Sequence, residues 1–289
     1  MVVRSARGVG RVARSGGRSV ATWAGRPSGR FVVPLVAIVG VLALTGAVGN
    51  FATRAGAPAP HPGASSSPSA SAAAPAGGDQ VLPNPDSTQD SGAVPPAHPQ
   101  DVVAQWAHRL GPKVGIADTA LIAYGYATLR EAADAPTCHL SWTTLAGIGK
   151  VESSHGTENH ATLHPDGFAL PPIIGPALNG QGGNDTVPDS DGGQYDGDRV
   201  YDHAIGPMQF LPSTWQRYQI DADEDGRADP NDLNDAALAA ARYLCAGGLD
   251  LATDGGWWGA VESYNKPVSY AQRVFDAAND YGQKSHSVA

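Results

Sequence analysis

Ser141–Gly156 reads SWTTLAGIGKVESSHG, and its spacing sets the fold class. The apolar and small residues that follow Cys138 predict a helix over Ser141–Glu152. Leu145, Ile148, Gly149 and Glu152 then fall at i, i+3, i+4 and i+7, on one face. That face points inward, so Glu152 is expected on the buried stripe. A carboxylate there loses solvation, which raises its pKa and keeps it protonated nearer neutral pH. Gly147 and Gly149 thin the helix and let a backbone or a ligand approach. A plainer reading stays open, in which the helix ends at Val151 and Glu152 turns into solvent.

Outward from this stretch the signals remain helical. Ile116–Glu131 carries Leu121, Ile122 and Leu129 at helical spacing, with Asp118 as the expected N-cap. Asp235–Ala246, DAALAAARYLCA, is rich in helix formers and stops at Gly247-Gly248. Pro267–Tyr281 opens on proline at a first-turn position and ends at Gly282. No run of alternating strands appears. His164–His203 is a long Gly/Asp/Pro stretch that reads as an irregular insertion. Within it, the Asp- and Gly-rich segment Asp189–Asp202 reads as a flexible solvated loop, with a cation site or a substrate-facing flap as alternatives. The expected class is mainly α with one long insertion.

The rest of the chain is uneven. Residues 1–30 hold seven arginines and no acid, and 31–49, FVVPLVAIVGVLALTGAVG, are nineteen residues without a charge. That length crosses a bilayer as a helix. The arginine excess predicts a cytoplasmic N-terminus with the remainder outside. The segment reads as a single-pass membrane anchor, with a cleaved signal peptide and secretion as the alternative. Residues 50–99 are mostly Ala, Ser, Pro and Gly, with ten prolines and four charges, and are expected to be a disordered tether. The folded domain is expected over residues 100–284. From Asp101 onward there are 25 acids against 11 Lys and Arg, a net of −14, which excludes nucleic acid as a partner. Cys138 and Cys245, the two cysteines, are expected to pair in an exported domain.

Three motifs in order carry a resemblance. KVESSHG (Lys150–Gly156), AIGPMQFLPSTW (Ala204–Trp215) and ESYNKPVSY (Glu262–Tyr270) resemble the lytic murein transglycosylases, nearest to their lytic transglycosylase B branch, which is exported in actinobacteria. The resemblance implies a lysozyme-like, mainly helical fold with a long sugar-binding groove. It implies Glu152 as the single catalytic acid and base, Gly206, Met208, Gln209 and Phe210 on the groove wall, and Tyr264 with Asn265 near the carboxyl. The implied reaction cuts the β-1,4 bond between N-acetylmuramic acid and N-acetylglucosamine in peptidoglycan glycan strands. The muramyl C6 hydroxyl is the nucleophile and a 1,6-anhydro end is left. One carboxylate suffices because no water has to be activated, whereas ordinary glycosidases need two. Tyr264 is expected to orient Glu152 or to be satisfied by backbone. Trp215, Trp257 and Trp258 are expected in the core rather than against sugar. His155 stands where some relatives have a bulky aromatic, and its role stays open.

Asp221–Asp232, DADEDGRADPND, matches the first half of an EF-hand loop, but position 12 is Asp232 in place of glutamate. The same branch has an EF-hand-like loop whose last ligand comes later, which here implies Asp235. The expected ligands of a structural Ca²⁺ are Asp221, Asp223, Asp225, the Arg227 carbonyl and Asp235, and catalysis itself needs no cofactor. Two further readings of the whole are a hydrolysing muramidase, with Asp202 or a neighbour as base, and a non-catalytic, calcium-stabilised wall-binding module.

Overall fold

The computed structural model describes residues 73–78 and 98–286, which fall within one compact unit. After a 3-10 turn at Pro99–Val103 come α1 (Ala104–Val114), α2 (Asp118–Asp134) and α3 (Trp142–Ser153). The insertion begins with an antiparallel hairpin, β1 (Thr162–Leu163) and β2 (Ala169–Leu170), in which Thr162 faces Leu170. Then follow α4 (Pro212–Tyr218), α5 (Leu233–Cys245), α6 (Asp254–Tyr264) and α7 (Val268–His286). The fold is mainly helical, as expected.

Two helix pairs organise the core, α3 with α7 and α2 with α5. Gly147 sits at the first crossing, where a Cβ would stand 2.8 Å from the Val274 carbonyl. Trp142, Trp215, Trp257, Tyr124 and Tyr270 are fully buried among the helices. Trp215 and Trp257 are therefore core residues, and Trp258 stacks on Phe275 at 5.6 Å between ring centres.

The helix starts show why these segments fold as they do, and where the expected ends shift. Ser141 caps α3, its Oγ accepting the Thr143 N–H at 3.3 Å. Asp118 is not a cap: Ala117 holds that position, and the Asp118 carboxylate meets His108 Nδ1 at 2.9 Å. The cap of α5 is Asp232, accepting the Asn234 N–H at 2.7 Å, so that helix starts at Leu233 rather than at Asp235. Asp235 lies in its first turn instead.

Among the described residues no helix is long and apolar enough to cross a membrane. The span expected over 31–49, the basic 1–30 segment and most of 50–99 lie outside them. Within that last stretch, residues 73–78 lie against the folded domain. The Ala74 N–H donates to Asp254 Oδ1 at 2.8 Å, and the Gly77 carbonyl is 2.8 Å from His286 Nε2.

Cys138 and Cys245 form a disulfide, with Cα atoms 5.5 Å apart across 107 residues of sequence. It ties the segment before α3 to the end of α5. A cross-link closing so long a loop restricts the unfolded chain. Replacing both cysteines by serine is expected to lower the unfolding free energy by about 2–5 kcal/mol. A denaturant titration reads this directly, and an unmoved midpoint would contradict it.

Candidate active site

Glu152 occupies the last turn of α3 and is only partly exposed. The helix does not end at Val151, so the inward-facing reading of the sequence holds. Burial pushes the Glu152 carboxyl up to about 7, against the Tyr270 hydrogen bond and the Arg273 charge, which both pull it down. Tyr270, on α7, donates its hydroxyl to Glu152 Oε1 at 2.6 Å. Oε1 is thereby an acceptor, and a proton bound by the carboxyl belongs on Oε2. Arg273, one turn further along α7, lies 5.9 Å from the centre of the Tyr270 ring.

The orienting tyrosine is thus Tyr270 and not Tyr264. Tyr264 is satisfied by backbone, donating to the Met208 carbonyl at 2.7 Å. Tyr270 closes the same SYNKPVSY motif, so the signal for it was in the sequence. Ser153, next to Glu152, donates its Oγ to the Pro207 carbonyl at 2.6 Å and accepts the Gly156 N–H at 2.8 Å. This bond joins the end of α3 to the Gly206–Phe210 turn.

That turn departs from its expected role as a set of side-chain contacts on a groove wall. Met208 is 0% and Phe210 3% exposed, so both side chains belong to the core. Phe210 packs edge-on against Trp215 and Tyr264. Gly206 has φ of +73°, and a Cβ there would collide with the Pro230 carbonyl, so only glycine fits. Gln209, at φ of +50°, spends its amide nitrogen on the Gly206 carbonyl at 2.9 Å. Its side chain remains half-buried and reachable from outside. Asn265 ends α6 and is 1% exposed, with neither amide atom hydrogen-bonded among the described residues. Orphaned buried amide atoms are costly, on the order of 1–3 kcal/mol each.

The long insertion is not a loose loop over Asp189–Asp202. Asp189 Oδ1 accepts the Asp191 and Gly192 N–H groups at 3.0 and 2.8 Å. Asp202 is 0% exposed, its two oxygens held by the Ser190 N–H at 2.8 Å and the Ser190 hydroxyl at 2.6 Å. A carboxylate so enclosed cannot face a substrate water.

In the Asp221–Asp232 loop, carboxylate oxygens of Asp221, Asp223 and Asp235 lie within 4.8 Å of one another. Asp225 falls outside that cluster of carboxylates. The Asp225 carboxylate accepts the Arg227 N–H at 2.8 Å, and the Arg227 guanidinium pairs with Asp229 at 2.9 Å. Asp235 also binds the Ala222 and Asp229 N–H groups, at 2.7 and 2.8 Å. Burial pushes Asp235 up to about 8 and Asp232 to about 7, and neighbouring carboxylates add to both.

Residues 199–277 match the family model of the transglycosylase SLT domain. The match takes in the Gly206–Phe210 turn, the acidic loop and Tyr264, Asn265, Tyr270 and Arg273, while Glu152 precedes it. Two solved structures of the Escherichia coli lytic transglycosylase Slt35, one in complex with bulgecin A and one with calcium, are similar to the chain. Each aligns at 13% identity over 63% of this chain and 78% of its own, with a TM-score of 0.38. A likeness at that level carries no functional weight. No curated protein matches the chain.

The Glu152 environment has a measurable consequence. A carboxyl raised from 4.5 to about 7 binds its proton more tightly folded than unfolded. Its favourable contribution is complete below pH about 4.5 and is lost as pH rises towards 7. Glu152→Gln should therefore match the wild type in stability at acid pH and exceed it above pH about 7, by on the order of 2 kcal/mol once partial exposure is allowed for. Chemical unfolding at several pH values checks this. A gap that does not widen with pH would refute the assignment.

Proposed function

We propose that the chain is a lytic transglycosylase that cleaves the β-1,4 bond between N-acetylmuramic acid and N-acetylglucosamine in peptidoglycan, with Glu152 as sole acid and base. The observation that carries this reading is one half-buried glutamate, raised to about 7 and held at one oxygen by Tyr270, with no second carboxylate in contact with it among the described residues. The SLT family match over 199–277 supports the substrate class.

In this reading protonated Glu152 gives its proton to the glycosidic oxygen as the bond from muramyl C1 breaks. The C6 hydroxyl of the same sugar attacks C1, and the Glu152 carboxylate takes the hydroxyl proton. No water is consumed, and one strand ends in a 1,6-anhydro ring. Tyr270 keeps Oε1 occupied, so donation and recovery of the proton both fall to the other oxygen. Gln209, half-buried, is the amide we assign to the sugar's acetamido and hydroxyl groups, whereas Asn265, at 1% exposure, lies beneath the surface that a sugar would touch. Asp202, 0% exposed with both oxygens held by Ser190, is poorly placed to serve as the base that the hydrolysing alternative would take from this loop.

The expected Ca²⁺ fits the donor set. Oxygens of Asp221, Asp223 and Asp235 within 4.8 Å of one another can share one ion at the usual calcium–oxygen distance of about 2.4 Å. Asp223 and Asp235 are buried, at 6% and 1% exposure, where an oxygen-seeking cation offsets the cost of their charge. The ion would hold the loop and supply no acid–base chemistry. We further propose that the domain acts outside the membrane, tethered or secreted through its N-terminal segment.

Digestion of purified cell walls by the full chain is expected to release anhydro-muropeptides, and Glu152→Gln to lower the rate by about 10²–10⁴-fold. Reducing muramyl ends in place of anhydro ends would replace this reading by hydrolysis, and no release at all by a non-catalytic wall-binding role. Adding Ca²⁺ to the chelated protein is expected to raise its melting temperature, and Asp235→Asn to abolish that rise. An unchanged melting temperature would remove the ion from the description.

A further inference from the structure

Beyond α3 the chain makes a turn that the mechanism above does not use. Ser154, His155 and Gly156 are consecutively left-handed, with φ of 52°, 62° and 82°. Two non-glycine residues in that region stay there only where their surroundings over-determine them. The backbone supplies part of the reason, since the His155 N–H reaches back to the Gly149 carbonyl at 2.9 Å. The side chain supplies the rest. His155 Nδ1 lies 3.0 Å from the Tyr124 hydroxyl on α2, and Nε2 lies 2.9 Å from the Tyr281 hydroxyl on α7. The imidazole is neutral, because burial, with the Lys150 charge adding, lowers its pKa to about 4. A neutral ring has one N–H and one lone pair, so it accepts from one tyrosine and donates to the other.

The neighbouring sequence is cut to fit this bridge. A Cβ at Gly149 would collide with the Tyr124 hydroxyl, so the glycine keeps the space in which that hydroxyl meets His155. Tyr281 shares α7 with Tyr270, the partner of Glu152. One helix therefore grips the end of α3 twice, at Glu152 and three residues later.

We propose that His155 is a positioning residue: by bridging Tyr124 to Tyr281 it fixes the left-handed turn and so holds the Glu152 carboxyl against Tyr270. It makes no hydrogen bond to Glu152, so it carries no proton in the reaction. The proposal rests on the reading of Glu152 as the acid. The groups that face Glu152 are Tyr270 and Arg273 from α7 and Tyr264 from α6. Those that face His155 are Tyr124, Tyr281 and Lys150, with Asp280 beside Tyr281.

The test titrates the Glu152 carboxyl by ¹³C NMR in the full chain, its signal assigned by its loss in Glu152→Gln. Wild type is expected to titrate near 7. In His155→Ala the midpoint should fall by about one unit or more, as water reaches the loosened turn. Wall cleavage should lose about 10–100-fold in kcat with KM changed less than about threefold, the pattern of a displaced catalytic group. His155→Gln, which keeps one of the two contacts, should recover part of both. A purely structural role would lower the melting temperature and leave the Glu152 midpoint in place, and that result overturns the proposal. If His155→Ala does not fold, Tyr281→Phe decides, since it removes one hydroxyl and keeps the ring packing. A wild type that cleaves no wall sinks the proposed function, while the NMR midpoints still judge the positioning.

Discussion

The closeness with which α7 crosses α3 governs what the end of α3 can do. At Gly147 a Cβ would stand 2.8 Å from the Val274 carbonyl and 3.3 Å from the Ala278 Cβ, so any larger residue would drive the helices apart. The helices run antiparallel, with Gly147 opposite Val274 and Ala278 and Glu152 opposite Tyr270. Hydrogen bonds lose strength steeply with distance, and the Tyr270–Glu152 contact of 2.6 Å tolerates little separation. The packing of two glycine-thinned turns is therefore what sets the carboxyl's partner, its burial and its proton affinity together. The cost is helical propensity, since glycine weakens a helix by roughly 1 kcal/mol relative to alanine. A helix with Gly147 and Gly149 in its middle is held by its neighbours rather than by its own preference.

A second line of contacts runs to the same place from the acidic loop, and it travels through backbone. Asp235 gathers the Ala222 and Asp229 N–H groups, which sets the path of the loop up to Pro230. The Pro230 carbonyl fills the space that the missing Gly206 side chain leaves. The turn that follows offers two carbonyls, Pro207 to the Ser153 hydroxyl and Met208 to the Tyr264 hydroxyl. One of these lies beside Glu152 in the chain and the other faces it from α6. Order in the loop is thereby passed to both sides of the carboxyl by five short contacts, each of which needs a particular backbone position.

This division explains what the sequence disclosed. Features set by local periodicity were readable: α3, the inward face of Glu152 and the helices near 118, 235 and 268; cysteine count and context added the pairing of Cys138 with Cys245. Helices α1 and α6 were hidden because Gly111-Pro112 and Gly255-Gly256 lie within them, with Gly111 closely approached by Asp118 and Gly256 by the Asp250 carbonyl. Within the Gly206–Phe210 motif, residue types alone suggested contacts to sugar. Burial then turns Met208 and Phe210 into core, which no local pattern announces. Tyr264 is satisfied by backbone, one of its two expected parts, and Tyr270 takes the other for the same reason. Which tyrosine reaches a carboxylate depends on helix crossing geometry, and both sit six residues apart in one motif. In the acidic loop, loop spacing pointed to Asp221, Asp223 and Asp225 together; the carboxylates of Asp221, Asp223 and Asp235 converge, while that of Asp225 accepts the Arg227 N–H.

The distribution of charge adds a final step. The chain from Asp101 onward carries a net charge of −14, yet the groups touching Glu152 and His155 are phenols and an imidazole held neutral. Carboxylates gathered near Glu152 would raise its proton affinity further by repulsion, and a close basic partner would lower it. Among the described residues neither occurs at contact range: two groups of carboxylates gather in the loops, and Arg273 stands 5.9 Å over the Tyr270 ring. Proton affinity is left to burial, tempered by one hydrogen bond and one distant charge, and comes to rest near neutrality. A group poised there can give a proton and take one back at the same pH. On the proposed reaction that is the whole requirement, because the nucleophile arrives with the substrate and no water needs a second base.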